Sequence, residues 1–174
     1  PGIGIDNDDW QRSEEYLIDF EGLLILDADA LNRISESKIG PKFFLERESK
    51  TWITPHSKEF ERLFPNIKCE SKVELALNAA KEFNISVLLK GANSIVADNK
   101  MAWQLFGTDS QTARAGLGDL LSGFVAGSAA IDWTSCGNIT TDFFAKYVLL
   151  HSFAASRSKN GSNASAIGDE LSKL

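Results

Sequence analysis

A glycine-rich turn that leads into an apolar helix is predicted by residues 113–127, Ala113-Arg114-Ala115-Gly116-Leu117-Gly118-Asp119-Leu120-Leu121-Ser122-Gly123-Phe124-Val125-Ala126-Gly127. Gly116 and Gly118 flank one residue, so the backbone at both positions is free to adopt positive φ and approach a ligand closely. The residues after Asp119 are apolar and small, which predicts a buried helix over residues 119–131. Gly123 and Gly127 predict close packing of that helix on a sheet.

The start of this helix is a natural phosphate site, because a first helical turn has unpaired N–H groups and about half a positive charge. Asp119 lies at the mouth of the site, where a carboxylate is able to deprotonate a hydroxyl that attacks phosphorus. A structural interpretation competes with this one, since Gly-x-Gly-Asp before a helix is also typical of a turn with an aspartate N-cap. The rest of the chain favours the functional interpretation.

The composition is that of one globular domain. The chain has 174 residues, of which 43% are hydrophobic and 24% charged, enough for a single domain with a real core. A net charge of -6 argues against a basic surface for nucleic acid but allows a local cationic pocket for nucleotide phosphates. Cys69 and Cys136 fit neither a disulfide framework nor a zinc site, the sequence has no long apolar span, and we expect no signal peptide. We therefore expect a cytoplasmic protein that binds neither nucleic acid nor membranes.

The first residues, Pro1-Gly2-Ile3-Gly4, form a glycine-rich segment with no strand before it, although such loops normally follow a strand. We expect the chain to be the carboxyl-terminal portion of a longer protein. A disordered, non-native start is the alternative.

Apolar runs alternate with helical patterns, which is typical of an α/β layer fold with a mainly parallel sheet. Residues 23–26, 51–54 and 85–89 predict buried parallel strands, and residues 94–97 with 101–106 predict a hairpin. Helices are predicted over residues 10–20, 57–64, 71–83, 119–131, 142–156 and 166–174, with a shorter one or a turn near 33–37.

Each predicted parallel strand ends in a polar cluster. Because ligands bind outside the carboxyl ends of parallel strands, these clusters are expected to converge on one edge of the sheet. Chance clustering is the alternative, since loops are polar in general. The clusters are Asp27/Asp29/Asn32, Thr54/His56 and Lys90/Asn93/Ser94.

Five motifs, in order and at roughly matching spacing, resemble those of one known family over nearly the whole chain. They are Pro1-Gly2-Ile3-Gly4 (the tail of a Gly-Pro-Gly-x-Gly loop), Asp27-Ala28-Asp29-Ala30-Leu31-Asn32, Thr54-Pro55-His56-Ser57-Lys58-Glu59-Phe60, Lys90-Gly91-Ala92-Asn93-Ser94 and Ala115-Gly116-Leu117-Gly118-Asp119. The family is that of the ADP- or ATP-dependent NAD(P)H-hydrate dehydratases, lyases within the ribokinase-like superfamily.

The resemblance implies a three-layer ribokinase-like α/β fold with a mainly parallel central sheet. It implies one domain, residues 1–174, without the family's amino-terminal strands. The implied reaction phosphorylates the C6 hydroxyl of hydrated NAD(P)H (NADHX or NADPHX) from ADP or ATP, and phosphate then leaves as the ring double bond re-forms. Mg²⁺ is expected with the nucleotide phosphates, without an assigned protein ligand. Family resemblance also implies a homo-oligomer.

The resemblance also implies roles for individual residues. Asp119 is expected to be the catalytic base. For Asp27 a structural role, capping backbone groups, is favoured over a functional one. Asp29 and Asn32 are expected to organise water, metal or phosphate. The substrate site comprises Gly2, Gly4, His56, Asp119, Asp29 and Asn32, and the nucleotide site comprises Lys90, Gly91, Ala92, Asn93, Ser94, Gly116 and Gly118.

Two departures from the family pattern are Ser57-Lys58 in place of Pro-Gly and Leu117 in place of a usual threonine, which removes a hydroxyl near the phosphate. Two other functions stay open. A ribokinase-like kinase of a vitamin precursor or sugar would use the same anion site and the same base. An inactive nucleotide-binding or regulatory module is the other, and missing amino-terminal strands would favour it.

Overall fold

A five-stranded sheet between two layers of helices forms the framework of the protein. A computed structural model describes residues 2–3, 10–106, 116–158 and 164–174. The strands are β1 (Leu24–Leu26), β2 (Thr51–Ile53), β3 (Ser86–Leu89), β4 (Ser94–Ala97) and β5 (Ala102–Leu105). The helices are α1 (Trp10–Asp19), α2 (Asp29–Glu36), α3 (Ser57–Leu63), α4 (Lys72–Phe83), α5 (Leu117–Cys136), α6 (Thr141–Arg157) and α7 (Ala164–Leu171), with a 3₁₀ helix at Gly40–Phe44.

The sheet is mixed and has the order β1-β2-β3-β4-β5. The three predicted buried strands, β1 to β3, pair in parallel, and the predicted hairpin adds β4 and β5 in antiparallel orientation. Parallel pairing places the carboxyl ends of β1, β2 and β3 at one edge of the sheet, here called the rim. Asp27, His56 and Lys90 follow these three strand ends, so the predicted convergence of polar clusters is confirmed for them.

The two faces of the sheet pack against different helices, because successive side chains of a strand point to opposite sides. Trp52 and Leu88 face the layer of α5 and α6, and the Trp52 ring stacks on Phe144 of α6 with 4.6 Å between ring centroids. Ile53 and Val87 face the opposite core, which includes buried side chains of α2, α3 and α4. Both faces are covered, as the near-continuous apolar runs of the parallel strands predict.

Helix α5 differs from the fully buried helix that its sequence predicts. It extends over residues 117–136 rather than 119–131, and one side of it is exposed. A Cβ built on Gly123 or Gly127 would meet nothing within 4 Å, so the prediction that these glycines allow close packing on the sheet is wrong. No helix in the described ranges, α5 included, is long and apolar enough to cross a membrane. The buried residues of α5 are Leu121, Ser122, Val125 and Ala129.

A buried arginine connects α1 to the sheet. The guanidinium of Arg47 donates to the carbonyls of Leu17, Ile18 and Gly22, and its Nε donates to the hydroxyl of Thr51 at 2.9 Å. The first two carbonyls belong to the last turn of α1, where a cation both satisfies unpaired acceptors and opposes the helix dipole. Burial lowers the pKa of Arg47 below its ordinary value.

A second buried basic group lies on α6. The side chain of His151 is 7% exposed, and its Nε2 atom has no hydrogen-bond partner in the described part of the chain. Burial lowers the pKa of His151 to about 4, because the charged imidazolium would lose its hydration. The ring is therefore neutral in the folded protein at neutral pH.

We expect His151 to make the protein less stable in mild acid. The unfolded chain binds a proton on this residue near pH 6.5 and the folded chain only near pH 4, so stability is lost as the pH falls between these values. The variant His151→Leu has no titratable group at this position. Urea unfolding from pH 7 to pH 4 should show the wild type losing about 3 kcal/mol more than the variant. Parallel pH curves for the two proteins would contradict the assignment.

Candidate functional site

A buried carboxylate joins three elements at the rim. Asp27, which follows β1, is 2% exposed, and its Oδ1 atom lies 2.7 Å from Nζ of Lys90, which follows β3. The hydroxyl of Ser122 on α5 donates to the other carboxylate oxygen at 2.9 Å. We call this group of Asp27, Lys90 and Ser122 the rim junction. Asp27 therefore has the structural role predicted for it, but among the described residues its carboxylate pairs with side chains and does not cap backbone groups.

The beginning of α5 lies directly against the rim junction. A Cβ built on Gly118 would stand 3.4 Å from Oδ2 of Asp27 and 3.7 Å from Nζ of Lys90. Gly116 has a φ of 81°, as its sequence context predicts, and is the N-cap of the helix. Gly118 lies inside the helix without a positive φ, so the prediction for that position is wrong.

The amino terminus of α5 has the features of an anion site. No side chain among the described residues caps it, so within that part of the chain the N–H groups of Leu117, Gly118 and Asp119 have neither an intrahelical acceptor nor a side-chain cap. Asp119 is the third residue after the N-cap and not the N-cap itself, which removes the capping interpretation of this residue. Its carboxylate is exposed and makes no hydrogen bond or ion pair within the described residues. A carboxylate beside helix N–H groups, with neither partnered among the described residues, suits a group that takes a proton near a bound phosphate.

His56 lies at the same edge but has a clear local role. It is the N-cap of α3: its Nδ1 accepts hydrogen bonds from the N–H groups of Lys58 and Glu59, and the Glu59 carboxylate accepts from the His56 N–H. Because Nδ1 is an acceptor, Nε2 holds the proton of the neutral ring, 3.4 Å from the Glu59 carboxylate. His56 also forms a parallel bridge with Lys90, which brings it to the rim junction.

The loop after β3, residues 90–94, presents its main chain to solvent. Gly91, Ala92 and Asn93 are exposed, and Ser94 is buried with its hydroxyl donating to the carbonyl of Gly91 at 3.2 Å. The Lys90 ammonium, in contrast, is paired with Asp27. The loop is therefore accessible for binding, while its lysine is partly committed to the structure.

The other predicted site residues are Asp29, Asn32, Gly2 and Gly4. Asp29 begins α2 at the rim and is half-buried, as is Asn32 almost one turn later. The residue before them, Ala28, has the unusual backbone angles φ 48° and ψ -115°, a strained turn at the edge of the site. Gly2 is exposed, and a Cβ on it would meet nothing within 4 Å, so its place in the substrate site stays a prediction. Gly4 lies outside the described residues.

Two residues at the site were missed by sequence reasoning. Ser122 follows Gly118 by one helical turn, and this spacing from the motif is a signal that could have identified it. Lys72, the first residue of α4, extends its ammonium to the loop after β3, where a Cβ built on Gly91 would stand 2.9 Å from Lys72 Nζ. No local pattern links Lys72 to that loop, because the contact depends on how α4 packs.

The described residues do not form a metal site of their own. No group of three or more His, Cys, Asp or Glu side chains is placed there to hold a metal ion. The carboxylate of Asp27 is taken by Lys90 and Ser122. A Mg²⁺ ion would suit this site as a companion of nucleotide phosphates, which together with water are its usual ligands.

Comparison with known protein families gives a match over nearly the whole chain. The family model for NAD(P)H-hydrate dehydratase matches residues 1–173. The bifunctional NAD(P)H-hydrate repair enzyme Nnr of Synechocystis is 35% identical over 131 residues, which cover 75% of this chain and 24% of that protein. The ADP-dependent (S)-NAD(P)H-hydrate dehydratase of Nitrosopumilus maritimus is 35% identical over 107 residues, covering 59% of this chain and 37% of that protein.

Solved structures show the same fold. The ADP/ATP-dependent NAD(P)H-hydrate dehydratase from Bacillus subtilis, co-crystallised with ATP and Mg²⁺, superimposes with a TM-score of 0.72 at 21% identity. The match covers 96% of this chain and 59% of that one. A ribokinase-like superfamily protein from Enterococcus faecalis superimposes with a TM-score of 0.72 at 22% identity, covering 100% of this chain and 54% of that one, so the fold is the ribokinase-like α/β fold. The chain spans about a quarter of the bifunctional relative and three fifths of the Bacillus subtilis structure.

The capping role of His56 is testable apart from any role in binding. His56→Ala removes the acceptor for two N–H groups of α3 and should lower the free energy of unfolding by about 1 kcal/mol. His56→Asn supplies another good N-cap and should restore most of that loss. Urea denaturation of the three proteins measures both effects. Equal destabilisation by alanine and asparagine would show that the cap is not what His56 contributes.

Proposed function

The chain belongs to the NAD(P)H-hydrate dehydratase family, and from this we propose that it dehydrates hydrated NAD(P)H with ADP or ATP as phosphoryl donor. One observation supports the proposal above the others: the uncapped start of α5, with Asp119 in its first turn, lies against the rim junction. A candidate anion site, a carboxylate with no partner among the described residues and an exposed loop thereby lie at one edge of the sheet. These are the parts that phosphoryl transfer to a hydroxyl requires.

In the first step, the C6 hydroxyl of the hydrated ring attacks the terminal phosphorus of the nucleotide. Asp119 takes the hydroxyl proton as the new O–P bond forms, and the bond from phosphorus to the bridging oxygen breaks. The N–H groups of residues 117–119 face the oxygens of the transferring group and stabilise their charge. AMP leaves if ADP is the donor, and ADP leaves if ATP is. Mg²⁺ bound to the phosphates would neutralise part of their charge.

In the second step, the phosphorylated C6 centre loses phosphate. The C6–O bond breaks with its electron pair going to phosphate, and the neighbouring ring carbon loses a proton as the double bond re-forms. The products are NAD(P)H and inorganic phosphate. Phosphorylation turns a poor leaving group, hydroxide, into a good one, which is why a nucleotide is consumed in a net dehydration.

The remaining contacts in this proposal are those that the sequence motifs predict. Residues Lys90, Gly91, Ala92, Asn93 and Ser94, with Gly116 and Gly118, hold the nucleotide in this proposal. His56 donates from Nε2 to the hydrated dinucleotide, since its Nδ1 is engaged in the helix cap. Asp29 and Asn32 organise water or phosphate at the rim. Gly2 and Gly4 complete the substrate site.

We also propose that these residues form one domain of a longer, cytoplasmic, self-associating protein. The relatives are much longer than this chain. Cys69 and Cys136 are both free thiols, as is usual in a reducing compartment. Apolar side chains at the surface of α5 and α6 offer area for association; they are Ile131, Trp133, Leu149 and Phe153.

The direct test is an assay of the protein with enzymatically hydrated NADH and, in parallel, ADP or ATP. The proposal predicts recovery of the reduced-nicotinamide absorbance together with release of inorganic phosphate. A stable phosphorylated product from hydroxymethylpyrimidine or a sugar, with no dehydration, would instead indicate a kinase. Nucleotide binding without turnover of any hydroxyl substrate would indicate an inactive module.

Replacing the base should separate binding from chemistry. Asp119→Asn keeps the size of the side chain but cannot accept the proton, so turnover should fall by about 100-fold or more while nucleotide affinity stays nearly unchanged. Asp19→Asn is a matched control, because Asp19 is an exposed aspartate at the end of α1, away from the rim. Dehydration rates near wild type in Asp119→Asn would remove this residue from the mechanism.

A further inference from the structure

The ammonium of Lys72 lies beside the loop after β3. Lys72 is the first residue of α4 and is exposed, and its Nζ atom is the nearest neighbour of a Cβ built on Gly91, at 2.9 Å. The glycine leaves the space that the ammonium occupies. A positive charge thus lies against the main chain of residues 90–94, at a position to which the family motifs assign no role.

Helix stability does not account for this lysine. A cation in the first turn of a helix is disfavoured by the helix dipole, and the capping of α4 is done by Ser71, whose hydroxyl accepts from the Val73 N–H. Across residues 10–106, 116–158 and 164–174, no carboxylate oxygen is found within 4.0 Å of Lys72 Nζ. Within that part of the protein, its charge has no ion-pair partner.

The lysine of the motif itself is in a different electrostatic state. Lys90 is 25% exposed and its ammonium is 2.7 Å from the buried carboxylate of Asp27, so the two charges largely cancel. An anion approaching residues 90–94 would therefore meet the uncompensated charge of Lys72 and not that of Lys90. Lys90 thus pairs with Asp27 at the rim, whereas the ammonium of Lys72 faces the loop after β3.

We propose that Lys72 binds the phosphate chain of the nucleotide held by residues 90–94. This inference rests on the proposed function for the nucleotide itself, and it adds a residue from α4 to the binding site. Lysine serves here as a mobile point charge, which suits contact with more than one phosphate oxygen. The contact supplies affinity for the phosphates and none for the nucleoside.

Isothermal titration of the whole chain with ADP and with adenosine tests the inference. Lys72→Met keeps the length of the side chain without its charge, and should weaken ADP binding about tenfold or more while leaving adenosine binding unchanged. Lys72→Arg should restore ADP binding to within about threefold. Lys81→Met, a change of the same kind at an exposed position on the same helix, should bind ADP like the wild type.

The salt dependence gives a second readout. Wild-type affinity for ADP should fall more steeply with added salt than that of Lys72→Met, because one charge–charge contact is missing from the variant. Circular dichroism on each variant confirms that it is folded. If Lys72→Met binds ADP like the wild type, or loses ADP and adenosine equally, the inference is overturned and the proposed function stands. If the wild type binds neither ADP nor ATP, both are overturned.

Discussion

The ion pair between Asp27 and Lys90 is the interaction on which the rest of the site depends. A carboxylate that is 2% exposed is costly to bury unless its oxygens are fully paired, and here one oxygen meets the Lys90 ammonium and the other the Ser122 hydroxyl. These partners belong to the end of β3 and to α5, while Asp27 follows β1. The pairing thus fixes the two parallel strands and the helix relative to one another at the rim.

This constraint places the groups that the chemistry needs. The first turn of α5 can approach the rim closely because Gly118 has no side chain to contact the ion pair. Asp119 is exposed on the first turn of α5. One turn later, the hydrogen bond from Ser122 to Asp27 holds the helix in position. Because the Lys90 ammonium is paired with Asp27, we propose that backbone amides of α5 and Lys72 of α4 stabilise the phosphates. The structural ion pair and the proposed anion site are then separate, although they share one edge of the sheet.

Local signals in the sequence predicted much of this arrangement. Helix α4 has the predicted bounds to within a residue, and Asn84 ends it in the left-handed conformation, with a φ of 51°, as expected of a carboxyl cap. The sequence also predicted the hairpin of β4 and β5 and the three parallel strands. Apolar runs and turn residues are properties of neighbouring positions, so they can be recognised in the sequence. Contacts between distant residues were not readable: Lys90 and Ser122 lie 63 and 95 residues from Asp27. The exposed side of α5 was also missed. Small apolar residues occur all around this helix, so their pattern does not predict which side packs against the sheet.

The most direct test of the rim junction is a double-mutant cycle on its two charged members, measured by urea unfolding of Asp27→Asn, Lys90→Met and the double variant. Each single change leaves a buried or half-buried group without its partner, so each should destabilise the protein by about 3 kcal/mol. If the pair is the organising contact, the double variant loses less than the sum of the two, by about 2 kcal/mol. Losses that add to within about 0.5 kcal/mol would contradict this account, because the two residues would then act independently.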